Sequence, residues 1–232
     1  MRRSLPLAYA RVATHEQRAA NSGYGARAME RLIEAFKRFR SDYFEANRAR
    51  FERLAGRPQH PRYAIVTCCD SRIDTTRVFD AIPGELFLIR NIANLVPPYE
   101  PDQHHHSTSA AIEYAVRVLK VGQFVVLGHA GCGGIRALLD PPAPPTDFIN
   151  VWLEIAAAAR DRASSQQGLS REERQRYCEL EALKSSLTNL LEFPWLKARI
   201  EDGSLQVDAL YLDLERGALL LYDRYGDTFA EV

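Results

Sequence analysis

The sequence predicts an α/β fold, a mostly parallel central sheet of about five strands flanked by helices, with an N-terminal helical arm. Three observations predict it. Short β-branched runs alternate with segments of helical periodicity, a long amphipathic stretch precedes the first run, and 46% of 232 residues are hydrophobic, enough for one well-buried core. The expected organisation is a single domain overall: an arm over residues 1–60 and an α/β domain over 61–232.

In the arm, Met29, Leu32, Ile33, Phe36, Phe39, Tyr43, Phe44, Phe51 and Leu54 recur at three- and four-residue steps, which predicts an amphipathic helix or a pair of them. RYAIVTC (62–68) reads as the first strand, ELFLIRN (85–91) as the second and GQFVVLG (122–128) as the third. LQVDALYLDLERGALLLYD (205–223) reads as two strands joined at Arg216-Gly217. Helical patterns lie between them at 74–80, 107–120 and 133–139, so strand and helix alternate and the sheet should be mostly parallel. DPPAPPT (140–146) cannot continue a helix and marks a loop. A longer helical stretch runs from Phe148 through Leu191, with a break near SSQQGLS. No internal repeat is present.

Thirty basic and thirty acidic side chains cancel, which gives no electrostatic reason to expect nucleic acid or an anionic membrane as partner. Apolar runs fall short of the roughly 20 residues of a membrane span, and MRRSLPLAYA has no secretory apolar core. Four cysteines, at 68, 69, 132 and 178, do not form the framework of a small disulfide-rich domain. A cytoplasmic protein with reduced thiols is expected.

Ligands of open parallel sheets bind outside the carboxyl ends of the strands. Three polar clusters stand at such ends: CCDSR after the first strand, RNIAN after the second and GHAGCGG (128–134) after the third. His129 and Cys132, two residues apart in a glycine-rich turn, have metal-ligand spacing, and the thiols that could complete the site are Cys68 and Cys69. Side chains alternate along a strand. If the chain stays extended to Arg72, then Cys68, Asp70 and Arg72 share one face and Cys69 and Ser71 the other. Two cysteines and one histidine would hold zinc, one ion per chain, with the open fourth position of catalytic sites.

Other readings remain open at this point. The glycines at 128, 131, 133 and 134 could cradle a phosphate, although neither a P-loop lysine nor a dinucleotide fingerprint accompanies them. A Cys-His nucleophile pair would leave the second cysteine and Arg72 unexplained. His104, His105 and His106 could ligate a metal, but their polar setting favours a solvated loop. Cys178, in RQRYCELEAL, fits a packing or surface thiol.

CCDSR, PGELFLIRNIANLVPPY and GHAGCGG together resemble the beta-class carbonic anhydrases, strongly over residues 58–140, with TDFINVW and ALKSSLTNLLEFPWL similar to the plant-type branch. The resemblance implies zinc-dependent hydration of carbon dioxide to bicarbonate and a proton, with Cys68, His129 and Cys132 on the metal and Asp70 and Arg72 as a dyad beside it. It places Gln59, Phe87, Ile92, Tyr114 and the Gly133 N–H against the substrate, and it implies a homodimer or higher even oligomer. Ile65 stands where family members with an inhibitory bicarbonate site carry tryptophan, so a simple non-cooperative pH dependence is expected. Two rival functions keep the same residues: hydrolysis of carbonyl sulfide or carbon disulfide, and a non-catalytic zinc-binding module.

Overall fold

The computed structural model describes residues 23–142 and 144–232. These fall into two compact units, one ending at Pro58 and one running from Gln59 to Val232. The first contains α1 (Gly23–Arg38), a wider π-type turn at Phe39–Phe44 and α2 (Arg48–Ala55). Its aromatic residues meet one another: the Phe51 ring lies 5.0 Å from Phe44 and edge-on to Phe39 at 5.9 Å. Met29, Leu32, Ile33 and Phe36 are left exposed along α1.

The second unit is built on β1 (Tyr63–Cys68), α3 (Thr75–Val78), β2 (Leu86–Asn91), α4 (Ser107–Glu113) and β3 (Gln123–His129). It continues through α5 (Gly133–Leu139), α6 (Ile149–Leu153), α7 (Ala157–Ser165), α8 (Arg171–Leu191) and α9 (Pro194–Glu201). It closes with β4 (Gln206–Asp213), β5 (Ala218–Asp223) and β6 (Thr228–Glu231). The sheet order is β2-β1-β3-β4-β5-β6. β1 to β4 run parallel, β5 pairs antiparallel to β4, and β6 pairs antiparallel to β5. The described sheet therefore has six strands where about five were expected, because the short run at 228–231 pairs with β5.

Alternation sorts the strand residues onto two faces. Ala64 and Val66 of β1, Phe124 and Val126 of β3, and Val207, Ala209 and Tyr211 of β4 pack with Ile112, Val116, Leu183, Leu187, Leu190 and Leu196 from the helices. Each fully buried Leu or Phe there contributes about 1.5–3 kcal/mol of apolar transfer. On the opposite face, Ile65, Val125, Leu127 and Leu212 pack with Ile73. A third cluster joins Cys68 and Cys132 to Ile135, Leu138, Leu153, Ala159, Ala163, Cys178 and Ala182.

The break near SSQQGLS has a local cause. Gly168 adopts φ +78, and Ser170 and Glu173 form a reciprocal capping box that starts α8. The helix α9 was not foreseen in the sequence, although Pro194 at its start is an ordinary first-turn residue. After the first turns of α4 the chain widens into a π-type segment over Tyr114–Val118, within the expected 107–120 helix.

Candidate metal centre

The strand order reverses at β1, which pairs with β2 on one side and β3 on the other. The carboxyl ends of β1 and β3 thus lie side by side, at the switch point where α/β sheets bind ligands. Cys68 is the last residue of β1 and His129 the last of β3, and Cys132 precedes the first turn of α5. One donor atom from each lies within 4.8 Å of the other two, the one such group among the described residues. All three are buried, with Cys68 4% exposed, His129 1% and Cys132 1%.

The donor set fits a zinc ion. The Cys68 and Cys132 sulfurs are 3.9 Å apart, and two thiolates on one tetrahedral zinc stand about 3.8 Å apart. The His129 Nδ1 donates to the Ala130 carbonyl at 3.0 Å, which leaves the lone pair on Nε2. That Nε2 is buried and has no hydrogen-bond partner, the expected state of an atom meant for a cation. The Cys132 thiol, hydrogen-bonded to Cys68, holds the Cys68 thiol well below the usual thiol range against the penalty of burial. The same shared proton, with burial, pushes Cys132 up.

The dyad is built by a turn and not by strand alternation. β1 ends at Cys68 and the chain turns at Ser71 and Arg72, so the condition for residues 68, 70 and 72 to share a strand face is not met. The Ile73 N–H donates to the Asp70 carbonyl and the Arg72 N–H to Asp70 Oδ1, both at 3.0 Å, which closes an Asx-type turn. Within it the Arg72 guanidinium grips both carboxylate oxygens, at 2.9 and 2.7 Å. These hydrogen bonds hold the Asp70 carboxyl well below the usual range. Arg72 also donates to the Gly131 carbonyl at 2.9 Å, tying the dyad to the His129–Cys132 turn. The Asp70 N–H points at the Cys68 sulfur, 3.4 Å away, while Cys69 is exposed.

The remaining site candidates are distributed more widely. Ile92 lies beside Gly134, where an added Cβ would sit 2.8 Å from Ile92 Cγ2. Phe87 and Tyr114 form a ring pair with centroids 6.0 Å apart. Gly133 is exposed at the first position of α5, where helix N–H groups lack intrahelical partners. Gln59 is exposed and makes no side-chain hydrogen bond among the described residues. Ile65 is buried among apolar side chains. In the histidine loop, His106 pairs with Asp102 at 2.5 Å and His104 and His105 are exposed. Cys178 is fully buried, and burial pushes its thiol up to about 12.

Several residues that shape the site escaped the sequence reading. Arg90 donates to the Cys68 and Asp70 carbonyls at 3.1 and 2.9 Å. Trp152 Nε1 donates to the Ile92 carbonyl at 2.8 Å, next to Ala93 and Asn94, which adopt φ +63 and +48. Glu179 accepts from the Cys132 N–H at 2.8 Å. The RNIAN cluster signalled the first of these, but no local pattern marks a carboxylate that meets a backbone N–H 47 residues away.

The carbonic anhydrase family model matches residues 63–219. The chain belongs to the beta-class carbonic anhydrases. An Arabidopsis thaliana protein named beta carbonic anhydrase 3 is 36% identical over 201 residues, covering 84% of this chain and 77% of that one. A carbonic anhydrase of Synechocystis sp. is 33% identical over 201 residues, 84% of this chain and 71% of its own. Among solved structures, the beta-carbonic anhydrase CcaA superposes with a TM-score of 0.83 at 32% identity, covering 88% of this chain and 92% of that one. A structure from Sordaria macrospora, described as one of two tetrameric beta-carbonic anhydrases, gives 0.74 at 26% identity, covering 84% and 96%. In this beta-class carbonic anhydrase the family match spans β1 through the start of β5, and so includes every donor of the buried cluster.

Proposed function

We propose that the protein catalyses the reversible hydration of carbon dioxide to bicarbonate and a proton, with one zinc per chain held by Cys68, His129 and Cys132. The observation that carries this reading is the convergence of three buried donors beside an ion-paired carboxylate, in a chain of this family. Zinc held there supplies the Lewis acidity that makes water a nucleophile near neutral pH.

The protein's own groups then divide the work. Asp70 stays ionised while Arg72 occupies both its oxygens, so it is a poor base and a good acceptor. Its role is to accept a hydrogen bond from the attacking oxygen and aim a lone pair at the carbon. The Gly133 N–H and Gln59 hold the substrate oxygens, and Phe87, Ile92 and Tyr114 present apolar surface to a small uncharged gas. Ile65 packs among apolar side chains and carries no side-chain donor of its own, which supports a simple non-cooperative pH dependence. The exposed apolar stripe on α1 supports assembly as a homodimer or higher even oligomer. The reduced thiols the site needs suit the cytoplasm.

Stopped-flow hydration on metal-quantified protein is the test. The expected result is one zinc per chain and a hydration rate that disappears with zinc removal and returns with its restoration. Zinc-loaded protein without hydration activity would favour a non-catalytic module, and faster turnover of carbonyl sulfide would favour the hydrolase.

A further inference from the structure

We propose that Glu179 is a positioning residue for the Cys132 side of the metal centre, acting through the Cys132 backbone; this rests on the zinc reading above. Glu179 lies on α8 and is 4% exposed. Its Oε1 accepts from the Cys132 N–H at 2.8 Å and from Gln175 Nε2 at 2.9 Å, and its Oε2 accepts from the Tyr211 hydroxyl at 2.7 Å. Gln175 Nε2 also reaches the Cys132 carbonyl, at 3.3 Å. One turn of α8 therefore holds both the N–H and the C=O of a single residue, the one whose sulfur faces Cys68.

The energetics argue that this carboxylate does more than fill space. Among the described residues it has no ion-pair partner: Arg176 is engaged with Asp213 at 2.7 Å and lies over the Tyr211 ring at 5.4 Å. Burying an ion without a counter-charge is costly, and an apolar side chain would join α8 to the sheet without that cost. What an apolar side chain cannot do is anchor a peptide N–H with a charge-assisted hydrogen bond. The anchored peptide needs one, because Gly131 before it adopts φ +68 and Cys132 is extended immediately ahead of α5. On the opposite wall, Arg90 fixes the Cys68 carbonyl in the same way. The 3.9 Å sulfur separation is thus set from both sides by main-chain anchors.

The experiment follows zinc release from the loaded full chain into an excess of chelator, for wild type, Glu179→Gln, Glu179→Ala and Ser186→Ala. Ser186 is a buried acceptor on the same helix, bonded to the Val96 N–H, and serves as the control for general destabilisation. Glu179→Ala should release zinc about 10- to 100-fold faster, the usual range for removing a group that orients a ligand. Glu179→Gln keeps an acceptor without the charge and should fall between, more than about threefold faster than wild type. Ser186→Ala should lower the melting temperature with release unchanged. Release from Glu179→Ala within about threefold of wild type overturns the proposal, as does equal acceleration in Ser186→Ala. If Glu179→Ala does not fold, Glu179→Gln decides by the same threshold. A wild-type chain that holds no zinc would overturn the metal reading itself, whereas zinc-loaded wild type with unchanged variants overturns only the role of Glu179.

Discussion

Cys68 lies buried with its sulfur 3.9 Å from that of Cys132, and its neighbour Cys69 is exposed. Cys68→Ala or His129→Ala should therefore abolish zinc binding, while Cys69→Ala keeps about one zinc per chain; metal analysis after gel filtration checks both. Loss of metal from the Cys69 variant would reverse the assignment. Strand alternation gave the correct side for Cys69 on a premise that fails, because the chain leaves β1 at Cys68 and turns at Ser71. The Asx-type turn that gathers Asp70 and Arg72 was not read from the sequence, which suggested a chain extended to Arg72, although an aspartate can always accept from the backbone N–H two residues on. Arg72→Ala removes the clamp on both carboxylate oxygens and the bond to Gly131. Hydration should fall at least about tenfold while zinc content stays near one, because Asp70 loses its orientation. Wild-type kinetics in that variant would remove the dyad from the mechanism.

At the scale of elements, α5 packs against the left-handed turn after β2 through a position without a side chain. A Cβ on Gly134 would sit 2.8 Å from Ile92 Cγ2 and 2.9 Å from Ala93 Cβ, whereas one on Gly133 meets nothing. Gly134→Ala should cost about 1–3 kcal/mol in urea unfolding, and Gly133→Ala no more than about 1 kcal/mol. Equal effects would show that the helix shifts freely. A second joint ties α8 to the turn between β4 and β5: Arg176 pairs with Asp213, which also accepts from the Arg216 N–H. The hydrogen bond from Arg176, with backbone N–H donors behind it, holds the Asp213 carboxyl below its ordinary value. A depressed carboxyl gives stability that is present above the unfolded value near 4 and is lost as pH falls through the folded one. Arg176→Ala should thus cost about 1–2 kcal/mol at pH 7, discounted because the guanidinium is partly exposed, and the difference from wild type should shrink toward pH 3. A pH-independent difference would assign the effect to packing over Tyr211. The strands β1 to β5, the loop at 140–146 and the break near SSQQGLS were readable from β-branched runs, proline and glycine. α9 was not, because its eight residues alternate poorly and are held by Phe193 and Leu196 in the core.

For the whole molecule, the exposed Met29, Leu32, Ile33 and Phe36 on α1 predict association. Sedimentation should give a dimer or a larger even assembly, and Phe36→Asp should shift it toward smaller species. A wild-type monomer at micromolar concentration would leave that stripe without a partner. The three clustered donors come from the ends of β1 and β3 and the turn after β3, and Cys68 and Cys132 stand 64 positions apart. On a ribosome adding about 5–20 residues per second, the first thiol emerges roughly 3–13 seconds before the last donor. For that interval Cys68 and Cys69 are adjacent, unshielded nucleophiles on an unfinished chain. A redox-buffered surrounding, or a protein that covers the emerging strand, would protect them until β3 docks.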